Sequence, residues 1–276
     1  MKYQTLDIQE AHGVAVIWLD RPEVRNAMNE VMVRELTSAF DALETDAAVR
    51  AIVLAGRGPV FCAGADLKYM KKMSGASPHE NERDAAALAG MFHRLYTLGK
   101  PTVARVHGAA YAGGIGLVCS CDIAVAAQDT RFCLSEVRLG LAAASMGLQL
   151  LRAIGERQAS RYLLSAEELT AAEAYRIGLV QELALLDELD NVVNGLLGHL
   201  VRGAPAAQAS AKELLRSLGG APRTAAQVTD AAKRFAALRA SEEGREGITA
   251  FLEKREPAWV KAGDRKSRGG KASRKG

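Results

Sequence analysis

Apolar residues fall in short dense runs through the first half of the chain and at helical spacing through the second. Residues 3–8 and 14–19 (VAVIWL) flank His12-Gly13, which predicts two strands joined by a tight turn. Pro22 ends the second strand, because proline has no N–H to give a ladder. Asn29 stands before Met32, Leu36, Phe40 and Leu43, four apolar positions on one helical face behind a good capping residue. Residues 50–55 (RAIVLA) are, past the arginine, an unbroken apolar run, as expected of a strand buried on both faces. A loop at 56–59, a glycine-containing turn at 61–65 and a short helix at 66–73 follow. The polar stretch 74–82 (SGASPHENE) predicts a mobile loop, and a helix over 82–98 carries Leu88, Met91, Phe92 and Leu95 on one side. Gly99-Lys100-Pro101 stops it.

Strands at 102–106 and 123–127 enclose a glycine-rich run and a helical stretch at 117–121. Apolar strands alternating with helices predict an α/β fold with a largely parallel sheet. Past Ser145 the spacing is helical over 146–154, 156–164, 170–177, 186–201, 204–218, 224–240 and 243–253, interrupted by one strand at 179–182. The expected organisation is an α/β core over 1–199, a helical C-terminal subdomain over 200–260 and a basic, disordered tail over 261–276.

Charge sharpens this division. The net charge is +4, but the last sixteen residues alone carry +6, with seven Lys/Arg against Asp264, which leaves −2 on residues 1–260. With no aromatic residue after Trp259 for base stacking, the tail reads as a solubilising extension rather than a nucleic-acid contact. The opening MKYQTLDIQE lacks the apolar core of a secretory leader, and no run of about 20 apolar residues exists to span a membrane. Cys62, Cys119, Cys121 and Cys133 lie in apolar surroundings, which suits reduced thiols and a cytoplasmic location. No histidine–cysteine spacing suggests a metal site, and no G-x-x-x-x-G-K-[ST] run suggests nucleotide hydrolysis.

Two loop–helix junctions carry the candidate chemistry. Phe61-Cys62-Ala63-Gly64-Ala65-Asp66-Leu67 and Gly113-Gly114-Ile115-Gly116 each follow a buried strand and open a helix, so each presents unpaired N–H groups. Two such amides converging on one point form an oxyanion hole. Short glycine runs are equally compatible with ordinary tight turns. Twenty residues past Gly116 stands Glu136, either a surface partner of Arg138 or, in an apolar pocket, a general acid/base of raised pKa. Glu80, Glu82 and Asp84, in or near the polar segment, read either as acids of a loop that folds over the pocket or as a solvated helix start favouring the N-terminal dipole, and the second is the plainer reading. Asp122 reads as a brace for its turn, and His107 as a strand-end packing or hydrogen-bonding residue.

Five segments in order, DRPEVRNAMN, FCAGADLKYM, VHGAAYAGGIGLVCSCDIAVAA, RFCLSEVRLGL and EGITAFLEKREPAW, resemble the crotonase (enoyl-CoA hydratase/isomerase) superfamily, nearest its enoyl-CoA and methylglutaconyl-CoA hydratase-like members. The resemblance runs from about Leu6 to Trp259. It implies a spiral of ββα units with a C-terminal helical trimerisation region, a homotrimer or dimer of trimers, and an acyl-CoA thioester as ligand. It needs no cofactor, since coenzyme A is part of the substrate. The oxyanion amides fall on Ala65 and Gly113, and the catalytic carboxylate on Glu136. Val24, Arg25, Ala63, Asp66 and Leu67 match CoA- and acyl-binding positions, as do Gly114 and Gly116 in the glycine turn. Phe251 and Lys254 match positions that reach CoA from a neighbouring subunit.

One position departs from the pattern. The hydratases resemble one another in a second acidic residue after the glycine turn, and it falls here on Gly116. The resemblance implies an enoyl-CoA hydratase adding water through a stabilised enolate. A Δ3,Δ2-enoyl-CoA isomerase with Glu136 as sole proton shuttle needs no second acid, and an acyl-CoA-binding or RNA-associated protein with little turnover is the third reading. The small residues Ala142–Ala144 and Met146 fit a roomy acyl pocket or helix packing.

Overall fold

The computed structural model describes residues 3–219 and 224–260; the expected tail, 261–276, lies outside them. β1 (Leu6–Ala11) pairs antiparallel with β2 (Val14–Leu19), Leu6 opposite Leu19. Both turn residues, His12 and Gly13, have positive φ, as the favoured two-residue hairpin turn requires. β1 starts later than the pattern predicts because the N–H groups of Gln4 and Thr5 donate to the Glu35 carboxylate instead. α1 (Glu30–Thr45) begins where Asn29 Oδ1 accepts the Met32 N–H at 3.0 Å, and it buries Met32, Leu36, Phe40 and Leu43.

β3 (Ala51–Gly56) is buried at all six positions. α2 (Leu67–Ser74) and α3 (Pro78–Thr97) follow. The stretch expected as a mobile loop instead contains the start of α3. Ser77 accepts the Glu80 N–H while the Glu80 carboxylate accepts the Ser77 N–H, and this reciprocal cap carries a polar first turn.

β4 (Thr102–Val106), β5 (Ala109–Tyr111), α4 (Gly113–Ser120), β6 (Ile123–Ala127) and β7 (Arg131–Cys133) form the centre. Two 3-10 turns, Glu136–Leu139 and Ala144–Met146, lead to α5 (Gly147–Ser165). Gly155, at φ 72° and ψ 161°, divides α5 into the two helical segments that the spacing predicts. Then come β8 (Leu169–Thr170), α6 (Ala171–Arg176), β9 (Glu182–Ala184), α7 (Leu189–Leu200), α8 (Pro205–Leu218), α9 (Ala225–Ala240) and α10 (Glu242–Leu252). The strand expected at 179–182 sits further on, because the N–H groups of Leu179 and Val180 close the turn after α6 by donating to Ala174 O.

The main sheet has the order β1-β2-β3-β4-β6-β9 and is parallel from β2 onward. A second sheet, β5-β7-β8, is made of strands too short for the sequence pattern to reveal. Alternate residues of β3 enter different cores. Ala51 and Val53 pack with Leu189, Val193 and Leu197 of α7, whereas Ile52 and Leu54 join the larger cluster with α1, α3 and α4. This is the mixed α/β architecture expected. No helix among the described residues is long and apolar enough to cross a membrane.

Candidate active site

The two glycine turns are built against each other. β5 pairs with β7, and the Ala112 N–H donates to Cys133 O at 2.8 Å. Ala112 itself is held at φ 49° and ψ −120°, a conformation costing about 1–3 kcal/mol for a residue with a Cβ. It turns the chain so that Gly113 becomes the first residue of α4, where an N–H has no acceptor in its own helix.

At the other turn, Met28 bridges to Ala65: the Met28 N–H donates to Gly64 O and the Asp66 N–H to Met28 O. That ladder engages Ala65's neighbours and leaves its own N–H out. Gly64 permits the approach of the two turns. It has φ +92°, and a Cβ there would lie 3.0 Å from Ala112 Cβ and 3.1 Å from Tyr111 O. Gly114 likewise sits so close to Cys62 that a Cβ would meet Cys62 O at 2.7 Å.

Asn26, a residue the sequence pattern did not single out, pins the segment before this turn. Fully buried, it donates through Nδ2 to Arg57 O, Val60 O and Phe61 O, and its Oδ1 accepts the Arg21 N–H. Its signal in sequence is its place after Arg25, both residues at positive φ, which asparagine tolerates better than most. The Asp66 carboxylate caps α2 through the Lys68 and Tyr69 N–H groups and pairs with Arg21 at 2.9 Å. It is thereby occupied structurally, and since its N–H donates to Met28 O and its carbonyl accepts the Met70 N–H, Asp66 stands outside the cavity lining as a brace for the turn.

Glu136 opens the 3-10 turn after β7. Its Oε2 is buried and has no hydrogen-bond partner, and no ion pair joins it to Arg138 among the described residues. Burial pushes its pKa above the ordinary carboxylate value. It lines a cavity of about 360 Å³ together with Ala63, Ala65, Leu67 and Gly113. Ala142, Ala143 and Met146 line one apolar wall, while Ala144 is exposed outside it; Met28, Val33, Met70 and Leu88 form others. A carboxylate of raised pKa in one cavity with the amide that opens α4 and the turn amide of Ala65 can move a proton at a carbon whose neighbouring carbonyl oxygen is held by those amides.

The family model for enoyl-CoA hydratase/isomerase matches residues 9–262. The chain belongs to that family. A 2,3-dehydroadipyl-CoA hydratase of Escherichia coli is 34% identical over 255 residues, covering 91% of this chain and 97% of the relative. A short-chain-enoyl-CoA hydratase of Clostridium acetobutylicum is 33% identical over 258 residues, covering 92% and 97%. The crystal structure of an enoyl-CoA hydratase from Shewanella pealeana superposes with a TM-score of 0.91 at 36% identity, covering 94% of this chain and 97% of that one.

Against this enoyl-CoA hydratase/isomerase background, the remaining candidates divide. Val24 and Arg25 lie on the 3-10 turn Pro22–Val24 and its cap, outside the cavity lining. Phe251 stands at the end of α10, 82% exposed, and Lys254 just beyond it; neither lines the cavity. Gly116 is buried beneath it. A Cβ at Gly116 would lie 2.6 Å from Phe92 Cζ and 2.8 Å from Met146 Sδ. Two side chains therefore occupy the space that the family's second acid would need.

Of the three acids near the start of α3, Glu80 is exposed in the helix's first turn, as read, and also closes its cap, whereas Asp84 is half-buried and lines the cavity. Its position four residues before Leu88 places it on the helix's apolar stripe, a signal the sequence did contain. Asp122 braces its turn as expected, accepting from the Thr102 N–H and hydroxyl. His107 bonds Gly58 O at 2.8 Å, and burial lowers its pKa. Burial pushes the Cys62 and Cys119 thiols up to about 12, far from a nucleophile's range.

Proposed function

We propose that the protein is an enoyl-CoA hydratase, adding water across the C2–C3 double bond of a 2-enoyl-CoA. The observation that carries this reading is the unpartnered, buried Glu136 Oε2 in the cavity that also contains Ala65 and Gly113. The thioester oxygen lies between the amides of Ala65 and Gly113, charge moves onto it as oxygen adds at C3, and Glu136 delivers the proton to C2. Relatives named as hydratases support the direction of this chemistry. No cofactor takes part, because coenzyme A travels with the substrate.

A second reading, Δ3,Δ2-enoyl-CoA isomerisation, is favoured by one observation: Phe92 and Met146 fill the place of the usual second acid beside Gly116. A single glutamate taking a proton from C2 and returning it at C4 suffices for that reaction. Incubation with a 2-enoyl-CoA and, separately, a 3-enoyl-CoA tests both. Loss of the conjugated 2-enoyl absorbance supports hydration; its appearance from the 3-enoyl substrate, without subsequent loss, supports isomerisation and refutes hydration.

The assembly we propose is a homotrimer or a dimer of trimers. Val228, Phe235, Ile248, Phe251 and Leu252 expose large apolar groups on and around α9 and α10, more than an isolated surface commonly shows in one region. In that assembly Phe251 and Lys254 face the CoA of a neighbouring subunit. A measured mass in solution of one chain would refute it.

A further inference from the structure

The cavity contains two carboxylates among its described lining residues, Glu136 and Asp84, and no lysine, arginine or histidine. They reach it from different elements: Glu136 from the turn after β7, Asp84 from α3. Asp84 is half-buried, and its Oδ1 accepts a hydrogen bond from the Tyr69 hydroxyl of α2, itself a cavity residue. No other hydrogen bond to Asp84 is found among the described residues. Oδ2 thus has acceptor capacity, and the phenol holds the side chain in place. Burial, with Glu30 nearby, raises Asp84's pKa above the ordinary aspartate value.

Resting on the hydratase reading above, we propose that Asp84, oriented by Tyr69, is the base that activates water in place of the acid excluded at Gly116. The Asp84 carboxylate takes one proton from water, and the water oxygen bonds to C3. The C2–C3 π pair moves into C1–C2, and the thioester carbonyl becomes an enolate oxygen held by the N–H groups of Ala65 and Gly113. The enolate collapses as protonated Glu136 gives its proton to C2. Asp84 ends protonated and Glu136 ionised, and proton exchange with solvent resets both. Glu136 and the two amides alone suffice for exchange at C2; only addition of water needs Asp84.

The test measures two rates on the full-length protein: hydration of a 2-enoyl-CoA, and exchange of the C2 protons of a saturated acyl-CoA with D₂O. In Asp84→Asn, kcat for hydration is expected to fall about 10²- to 10⁴-fold, the range a positioned acid or base contributes, while C2 exchange stays within about threefold of wild type. Tyr69→Phe is expected to lower hydration by about tenfold and leave exchange alone, since one orienting bond is lost. An Asp84→Asn enzyme that hydrates within about threefold of wild type overturns the assignment. So does one that loses hydration and exchange equally, because Asp84 is then structural. A wild type that exchanges C2 protons but hydrates no 2-enoyl-CoA overturns the hydratase reading and this assignment together, an outcome distinct from the first two.

Discussion

The two ends of α4 solve opposite problems with similar parts. At its C-terminal end, Asp122 is tied in through one oxygen: Oδ2 accepts the Thr102 N–H at 2.7 Å, the Thr102 hydroxyl at 2.9 Å and Lys212 Nζ at 2.6 Å. Lys212, buried, also donates to Lys100 O and places a cation at the negative end of the helix. At the N-terminal end, Gly113 presents an amide without a helical acceptor, and Glu136 stands in the same cavity with a buried, unpartnered oxygen. One end joins α8 to the sheet. The other leaves donors and an acceptor waiting for atoms the protein does not supply. The first carboxylate is part-exposed and held by the fold through one oxygen, whereas the second keeps a buried oxygen without a partner.

Substitutions at the two ends should therefore fail differently. Glu136→Gln keeps the shape and removes the proton, so turnover on the substrate identified above should fall about 10³- to 10⁴-fold with an unchanged circular dichroism spectrum. Equal turnover would break the comparison. Lys212→Met leaves Asp122 with an unneutralised charge. Because water still reaches that part-exposed carboxylate, the loss is that of Lys212's charge-assisted bonds, and it should cost about 2 kcal/mol in denaturant unfolding while kcat per folded molecule stays near wild type. The next effect lies between the ends. Gly116→Glu restores the family's acid in sequence but drives a Cβ into Phe92 and Met146, and overpacking of this kind costs about 1–3 kcal/mol. A lowered unfolding midpoint without faster hydration is the expected outcome.

How much of this was legible differs between the two ends. Asn29 and the stripe Met32, Leu36, Phe40 and Leu43 announced α1, and the apolar run in β3 announced a strand covered on both sides, because local spacing alone dictates such elements. β5, β7 and β8 are two or three residues long and exist only through their pairing, which no window of sequence contains. Glu136 was singled out by its motif, and its carboxylate lies in the cavity. Asp84 was read chiefly as solvated because the residues around it are polar, although its four-residue step to Leu88 set it beside the apolar stripe of the helix expected there. Asp122's partner, Lys212, lies 90 residues away, and only the fold brings it there.

The smallest effects concern pH. Burial raises Glu136's pKa, so the folded protein holds that proton more tightly than the unfolded chain does. The stability this gives is complete below the ordinary carboxylate value of 4.5 and is lost as pH rises through the raised value. Glu136→Gln should accordingly melt higher than wild type near neutral pH, by a few degrees at most, with the gap closing below about pH 4.5. The same shift separates the reactions. Hydration needs Glu136 protonated and declines as pH rises through its pKa, whereas isomerisation needs it ionised and increases over the same interval.

The central claim is that Glu136, with the amides of Ala65 and Gly113, moves a proton at the carbon beside a thioester carbonyl. Its most direct measurement is proton NMR of a saturated acyl-CoA in D₂O, with wild type and Glu136→Gln side by side. The C2 protons should exchange with wild type and persist with Glu136→Gln. Exchange at the wild-type rate in Glu136→Gln would contradict the account.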